Sequence, residues 1–156
     1  MNRRTLEVHR DPTGIERERI TREYDGSGNE TLARNSAGIE RLTFHDALGQ
    51  VTQVDWLMGG TLWKRLQYPL YDADGNLRLM TGPEGEQFEY GYDDSNRMTT
   101  ITRNGTLAAE WRYDPSGRRT RMTLGNGVVA WYNYDDEELL TNLRYELNGR
   151  VLASWV

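Results

Sequence analysis

The chain has 156 residues, of which 37% are hydrophobic, a mean hydropathy of −0.81, a net charge of −5 and no cysteine. That is enough for one ordinary domain with a thin core, and it excludes disulfides, thiolate metal sites and a transmembrane helix, since no apolar run reaches about 18 residues. No apolar stretch follows Met1-Asn2-Arg3-Arg4, so no classical export signal is read, and an acidic chain whose single lysine is Lys64 lacks the basic footprint of a nucleic-acid binder. The 16 aromatic residues, among frequent Thr, Val and Leu, argue against disorder.

In chain order, residues 1–7 read as an N-terminal extension or flexible start and 8–156 as a repeat array. Asp11-Pro12-Thr13-Gly14 is a partial first turn. Full copies follow at Tyr24-Asp25-Gly26-Ser27-Gly28, His45-Asp46-Ala47-Leu48-Gly49 and Tyr71-Asp72-Ala73-Asp74-Gly75. Three more stand at Tyr92-Asp93-Asp94-Ser95-Asn96, Tyr113-Asp114-Pro115-Ser116-Gly117 and Tyr134-Asp135-Asp136-Glu137-Glu138. The aspartates lie 21, 26, 21, 21 and 21 residues apart, a regularity that marks a repeat architecture. A second turn series alternates with the first at Gly38, Gly60, Gly85, Gly105, Gly127 and Gly149. Its last three members read Asn104-Gly105, Asn126-Gly127 and Asn148-Gly149, the strongest short-range signal for type I′ hairpins.

The turn residues have mechanical reasons. An Asp at the first position accepts a hydrogen bond from the backbone two residues on, and Pro12 and Pro115 follow where their locked φ is already correct. Gly28, Gly49, Gly75 and Gly117 then supply positive φ, which Asn96 tolerates; at Glu138 the turn is expected to be strained or differently shaped. Between turns the pattern has period two. Phe88, Tyr90 and Tyr92 share a face, as do Ala109, Trp111 and Tyr113, and Val128, Ala130, Tyr132 and Tyr134; Leu42 and Phe44 are read the same way ahead of Asp46. After the Asp turns, Val51, Leu77, Met98 and Leu140 are each followed three residues later by Val54, Met80, Ile101 and Leu143, which predicts a bulge in the second strand. The segment from Asp135 to Leu143 is the only helix candidate.

Tyr-Asp-x-x-Gly followed by Arg or Asn and an apolar residue, with an aromatic two positions earlier and Asn-Gly at the other turn, resembles the YD repeat. That repeat occurs in bacterial Rhs toxins, in the C component of insecticidal toxin complexes and in teneurins. The best copies are Tyr90-Gly91-Tyr92-Asp93-Asp94-Ser95-Asn96-Arg97-Met98 and Trp111-Arg112-Tyr113-Asp114-Pro115-Ser116-Gly117-Arg118-Arg119; the likeness extends over residues 8–156. His45 for Tyr, Arg119 for an apolar residue and Glu138 for Gly depart from it. The resemblance implies an all-β fold of tandem antiparallel hairpins, about seven repeats and about fourteen strands, forming a curved, spiralling strip of a β-shell. It implies a non-enzymatic structural role, since in the bacterial members the shell sequesters a toxin polypeptide until delivery. The implied partners are other Rhs shell segments or further copies joined through strand edges, and a toxin polypeptide. The implied location is soluble, in the bacterial cytoplasm before delivery by a signal-independent system. No closing core segment with its Asp-Pro-x-Gly motif is read at the C-terminus and no toxin domain after it, so the chain is expected to be a shell segment or a short relative.

Other chemistry is weakly supported, and no catalytic, cofactor-binding or metal residue is assigned. The aspartates that invite a glycosidase reading sit mostly at turn starts, where the turn itself needs them. Asp72-Ala73-Asp74-Gly75 opens like a calcium loop, but Pro83 stands where the loop needs Glu. His9 and His45 have no partnering pattern, and Asp25-Gly26-Ser27-Gly28-Asn29 lacks the lysine of a phosphate loop. The rival reading is a carbohydrate- or protein-binding adhesion module using exposed Trp and Tyr. Trp131, out of phase with Ala130 and Tyr132, is its candidate for glycan stacking.

Overall fold

The computed structural model describes residues 3–156 and is all-β, with fourteen strands and no helix among the described residues. The strands are β1 (Arg3–Arg10), β2 (Glu16–Tyr24), β3 (Glu30–Asn35), β4 (Ile39–His45), β5 (Val51–Met58), β6 (Thr61–Tyr71) and β7 (Leu77–Thr81). They continue as β8 (Gln87–Tyr92), β9 (Met98–Arg103), β10 (Thr106–Tyr113), β11 (Arg119–Leu124), β12 (Val128–Tyr134), β13 (Leu140–Leu147) and β14 (Arg150–Trp155). The chain divides into two compact units, Met1–Tyr71 with Met80–Gly85, and Asp72–Leu79 with Glu86–Val156. In the first, β1 to β6 each pair antiparallel with the next strand. In the second, β8 to β14 do the same.

Residues 3–7 are not an extension: they are the first half of β1, in register from Arg3 opposite Tyr24 and held by Arg22 on Glu7 at 2.6 Å and Arg3 over the Tyr24 ring at 4.5 Å. Leu42 and Phe44 fall on the opposite face from the repeat aromatics. Counting back from each turn aspartate, it is His45 and Thr43 that take the places of Tyr92 and Tyr90, and Phe44 is left 44% exposed. The segment from Asp135 to Leu143 is a turn running into β13, because its aspartate closes the same hairpin as its siblings.

A register slip follows every Asp turn for which pairing is described, leaving one unopposed residue six positions after the aspartate. These are Arg17, Thr31, Thr52, Thr99, Thr120 and Thr141. Thr31, Thr120 and Thr141 donate their hydroxyls to the carbonyls of Glu23, Arg112 and Asn133 at 3.3, 3.3 and 3.2 Å, capping the bulge internally. Each slip switches the strand's phase, which accounts for the three-residue separation of apolar positions beyond the turn.

The second turn series alternates between two geometries. Gly59-Gly60, Asn104-Gly105 and Asn148-Gly149 have both residues at positive φ, the type I′ signature. Gly38, Gly85 and Gly127 each end a four-residue turn instead, donating to the carbonyls of Asn35, Gly82 and Leu124. Asn126-Gly127 is therefore not a type I′ turn. Gly125 supplies the extra residue, and Asn126 instead accepts from the Val128 amide at 3.1 Å.

The core is thin. Only Val54, Ala109 and Ala130 are buried hydrophobics among the described residues, Ala130 completely. In the second unit, Trp111, Met122, Ala130, Tyr145 and Ala153 stand opposite one another on successive strands, and Ala130 disappears beneath its larger neighbours. Tyr145 meets Trp155 edge-on at 5.7 Å, the arrangement that aromatic quadrupoles favour.

The Asp135 turn has the same backbone hydrogen bonds as its siblings, with Glu138 forced to φ 67°. It is therefore strained rather than reshaped. Glu138→Gly is expected to stabilise the chain by about 1 kcal/mol, the cost of a left-handed L-residue. Thermal melting checks this, and an unchanged or lower midpoint would show that the turn stores no strain.

Candidate functional site

The recurring constellation is the aspartate turn. Asp11, Asp25, Asp46, Asp72, Asp93 and Asp135 each accept, on one carboxylate oxygen, the amides two and four residues on, at 2.8–3.1 Å. Asp114 accepts the Arg118 amide at 2.9 Å in the same way. The second oxygen takes the side chain four residues on: Asn29, Asn76, Arg97 and Arg118 at 3.0, 3.2, 2.8 and 2.7 Å. Gly28, Gly49, Gly75 and Gly117, and Asn96 in the fourth copy, complete the turns at positive φ. The Arg97 side chain holds the Asp93 carboxyl below the usual range, and the Asn29 amide does the same to Asp25. In both, the hydrogen bonds favour the ionised, accepting form of the carboxylate.

The side chain at the fourth position also reaches the next turn. Asn76 donates to Asn96 at 2.8 Å, and Arg97 and Arg118 lie over the rings of Tyr113 and Tyr134 at 4.6 and 4.7 Å. The Tyr of each pair has a second task that sequence reasoning missed. Tyr71, Tyr92, Tyr113 and Tyr134 donate their hydroxyls to the carbonyls of Val51, Leu77, Met98 and Arg119 in the preceding repeat, at 2.7, 3.0, 2.8 and 3.0 Å. The signal is there in hindsight: the acceptor is always the fifth residue after an aspartate. Tyr113→Phe, which strands that carbonyl without loss of ring packing, is expected to cost about 1 kcal/mol. A urea midpoint indistinguishable from the parent would show the hydroxyl to be idle.

Tyr90, Tyr92, Trp111, Tyr113, Tyr132 and Tyr134 lie half-buried on one face of the second unit. Trp131 lies on the other. Its indole N–H donates to Glu146 at 2.8 Å and the Arg121 guanidinium covers its ring at 5.1 Å, so the stacking surface for a neutral sugar is taken on that side. In the first unit, Trp56, Trp63, Lys64, Leu66 and Pro83 line an open groove of about 370 Å³. Trp63 is the bulge residue after a type I′ turn, the place that Ala108 and Leu152 take in the sibling hairpins. On the opposite face of the same hairpin, Asp55 is 5% exposed and grips Arg65 through two bonds of 2.7 Å, a pair the sequence did not reveal. Among the described residues, no group of three or more His, Cys, Asp or Glu side chains converges as metal ligands would.

Residues 71–108, from one Tyr-Asp turn through the next and on to the Asn104-Gly105 hairpin, match the family model described as RHS Repeat. It is this stretch, residues 71–108, that resembles the RHS repeat. Solved structures agree in fold. The chain aligns with that described as TcdB2-TccC3-TEV at a TM-score of 0.60 and 15% identity, over 96% of this chain and 10% of that one. TcdB2-TccC3 aligns at 0.60 and 14% over 96% and 11%, and TcdB2-TccC3-Cdc42 at 0.59 and 15% over 94% and 10%. The chain thus spans about a tenth of the length of these structures. No curated protein matches it. Within the matched stretch, Tyr71 and Tyr92 make the hydroxyl bonds and Asp72 and Asp93 the turn bonds described above.

Proposed function

We propose that the chain is a non-enzymatic wall segment of an RHS-type shell that encloses or presents a toxin polypeptide. One observation carries the reading. The residues conspicuous enough to be catalytic, the serial aspartates and tyrosines, are consumed by backbone hydrogen bonds that hold one repeat to itself and to the next. Chemistry committed in this way makes a sheet mechanically regular and leaves little to turn over a substrate. The fold likeness to TcdB2-TccC3 assemblies, of which this chain matches about a tenth, supports a part of a larger wall rather than a vessel in itself. Strand edges supply the means of joining, since unpaired edge amides and carbonyls accept a further strand.

The test co-expresses the chain with neighbouring RHS-repeat segments and an unfolded cargo polypeptide. Co-elution at shell size, with cargo proteolysis slowed at least tenfold, is the expected result. Cargo cut as fast as when free, despite an assembled wall, would overturn the enclosing role.

A further inference from the structure

The polar face of the second unit holds a row of side chains that wall building does not require. Arg112 on β10 stands opposite Arg121 on β11, Arg121 opposite Trp131 on β12, and Trp131 opposite Arg144 on β13. Like charges directly opposite one another destabilise a sheet. Arg112 is relieved by Glu110 at 3.1 Å and Arg144 by Glu146 at 3.2 Å. Arg121 forms no ion pair among the described residues. It rests on the Trp131 ring, and its Nε is enclosed without an acceptor. One rung further along, Asn133 and Asn142 face each other on the same side of the sheet as Trp131 and Arg144.

We propose that this row is a binding site for an acidic saccharide, with Arg121 as the carboxylate-recognising residue. With its Nε enclosed, a guanidinium over an indole ring leaves its two Nη groups to pair with a carboxylate through two parallel hydrogen bonds. Glu146, bonded to the Trp131 N–H, fixes the ring that supports it. The two asparagines bring amide donors and acceptors suited to sugar hydroxyls. Among the described residues, only Arg121 in the row lacks a carboxylate partner. The site therefore takes one carboxylate beside neighbouring hydroxyls, which suits an acidic saccharide better than an extended peptide with carboxylates repeated on one side every ~6.8 Å. The net charge of −5 disfavours a long polyanion and leaves a short oligosaccharide as the ligand. This site is independent of the wall-segment reading, and either can fail without the other.

The experiment titrates the full chain with trigalacturonic acid, following the Trp131 indole N–H resonance and the heat of binding. Saturable binding that shifts the resonance is expected, weakened at least tenfold in Arg121→Gln and unchanged in Arg34→Gln, on the first unit. Arg121→Lys, which retains the charge and guards against a folding artefact, is expected to bind with intermediate affinity, its fold verified by circular dichroism. Equal binding of neutral trigalactose, an unaffected Arg121→Gln, or no binding at all would each overturn the proposal. So would hexaglutamate binding at Trp131 where trigalacturonic acid does not, which would make the row a peptide site.

Discussion

Gly125→Val is expected to destabilise the chain by about 3 kcal/mol, at the upper end of what overpacking costs. The reason is close approach, since the φ of Gly125 is not in the left-handed region. A Cβ there would stand 2.2 Å from the Leu107 carbonyl oxygen and 3.3 Å from its carbon, with the Ala108 Cα at 3.4 Å. The contact is tight because Ala108 is the unopposed bulge residue of β10, and its carbonyl accepts the Gly125 amide at 2.8 Å. Backbone against backbone has no rotamer with which to escape. Gly91→Ala provides the comparison: its Cβ would also meet an atom at 2.2 Å, but that atom is the Thr100 hydroxyl, which can rotate away. Denaturant midpoints should therefore rank the parent first, Gly91→Ala second and Gly125→Val well below. Equal losses at the two glycines would show that the β10 bulge yields as readily as a side chain.

Removal of the buried carboxylate of Asp55 should have the next largest effect. Asp55→Ala gives up two charge-assisted bonds to Arg65 and one from Gln53 at 3.1 Å, and is expected to cost about 2 kcal/mol. Replacing both partners, as Asp55→Leu with Arg65→Leu, should recover most of that loss, because a buried pair is worth little more than the apolar contact that replaces it. A double variant as unstable as the single one would show that the pair specifies the hairpin. The pH dependence has a definite sign. The Arg65 hydrogen bonds hold the Asp55 carboxyl below its ordinary range. Its stabilisation is therefore complete above the unfolded value of about 3.9 and is lost as the pH falls through the lower folded value. The gap in stability between the parent and Asp55→Asn should be flat near neutrality and narrow below about pH 4. A gap that narrows instead on the alkaline side would contradict the assignment.

Much of the fold was legible because turn chemistry is local. An aspartate, the two amides it accepts and the positive-φ residue that closes the turn all lie within five positions, so their spacing in the chain is their spacing in the molecule. The failures have the same origin in reverse. Asn126-Gly127 looked like a two-residue turn because the dipeptide carries that signal, but Gly125, beside the bulged Ala108, shifted the turn by one residue. Leu42 and Phe44 looked like face residues because both are apolar, whereas their distance from Asp46 places them on the other side. The Thr six positions after an aspartate stands in plain sequence, but only the pairing of strands makes it the bulge residue.

The linear order of residues was enough to settle the period, the aspartate turns and the family likeness, all of which depend on contacts a few residues long. Which side chains meet across strands was decided by register, and register accumulates through every turn and bulge between them. A one-residue slip moves a whole strand's side chains to the opposite face. Asp55 on Arg65 and Arg121 on Trp131 are therefore products of the assembled sheet, and no local pattern in the chain encodes them.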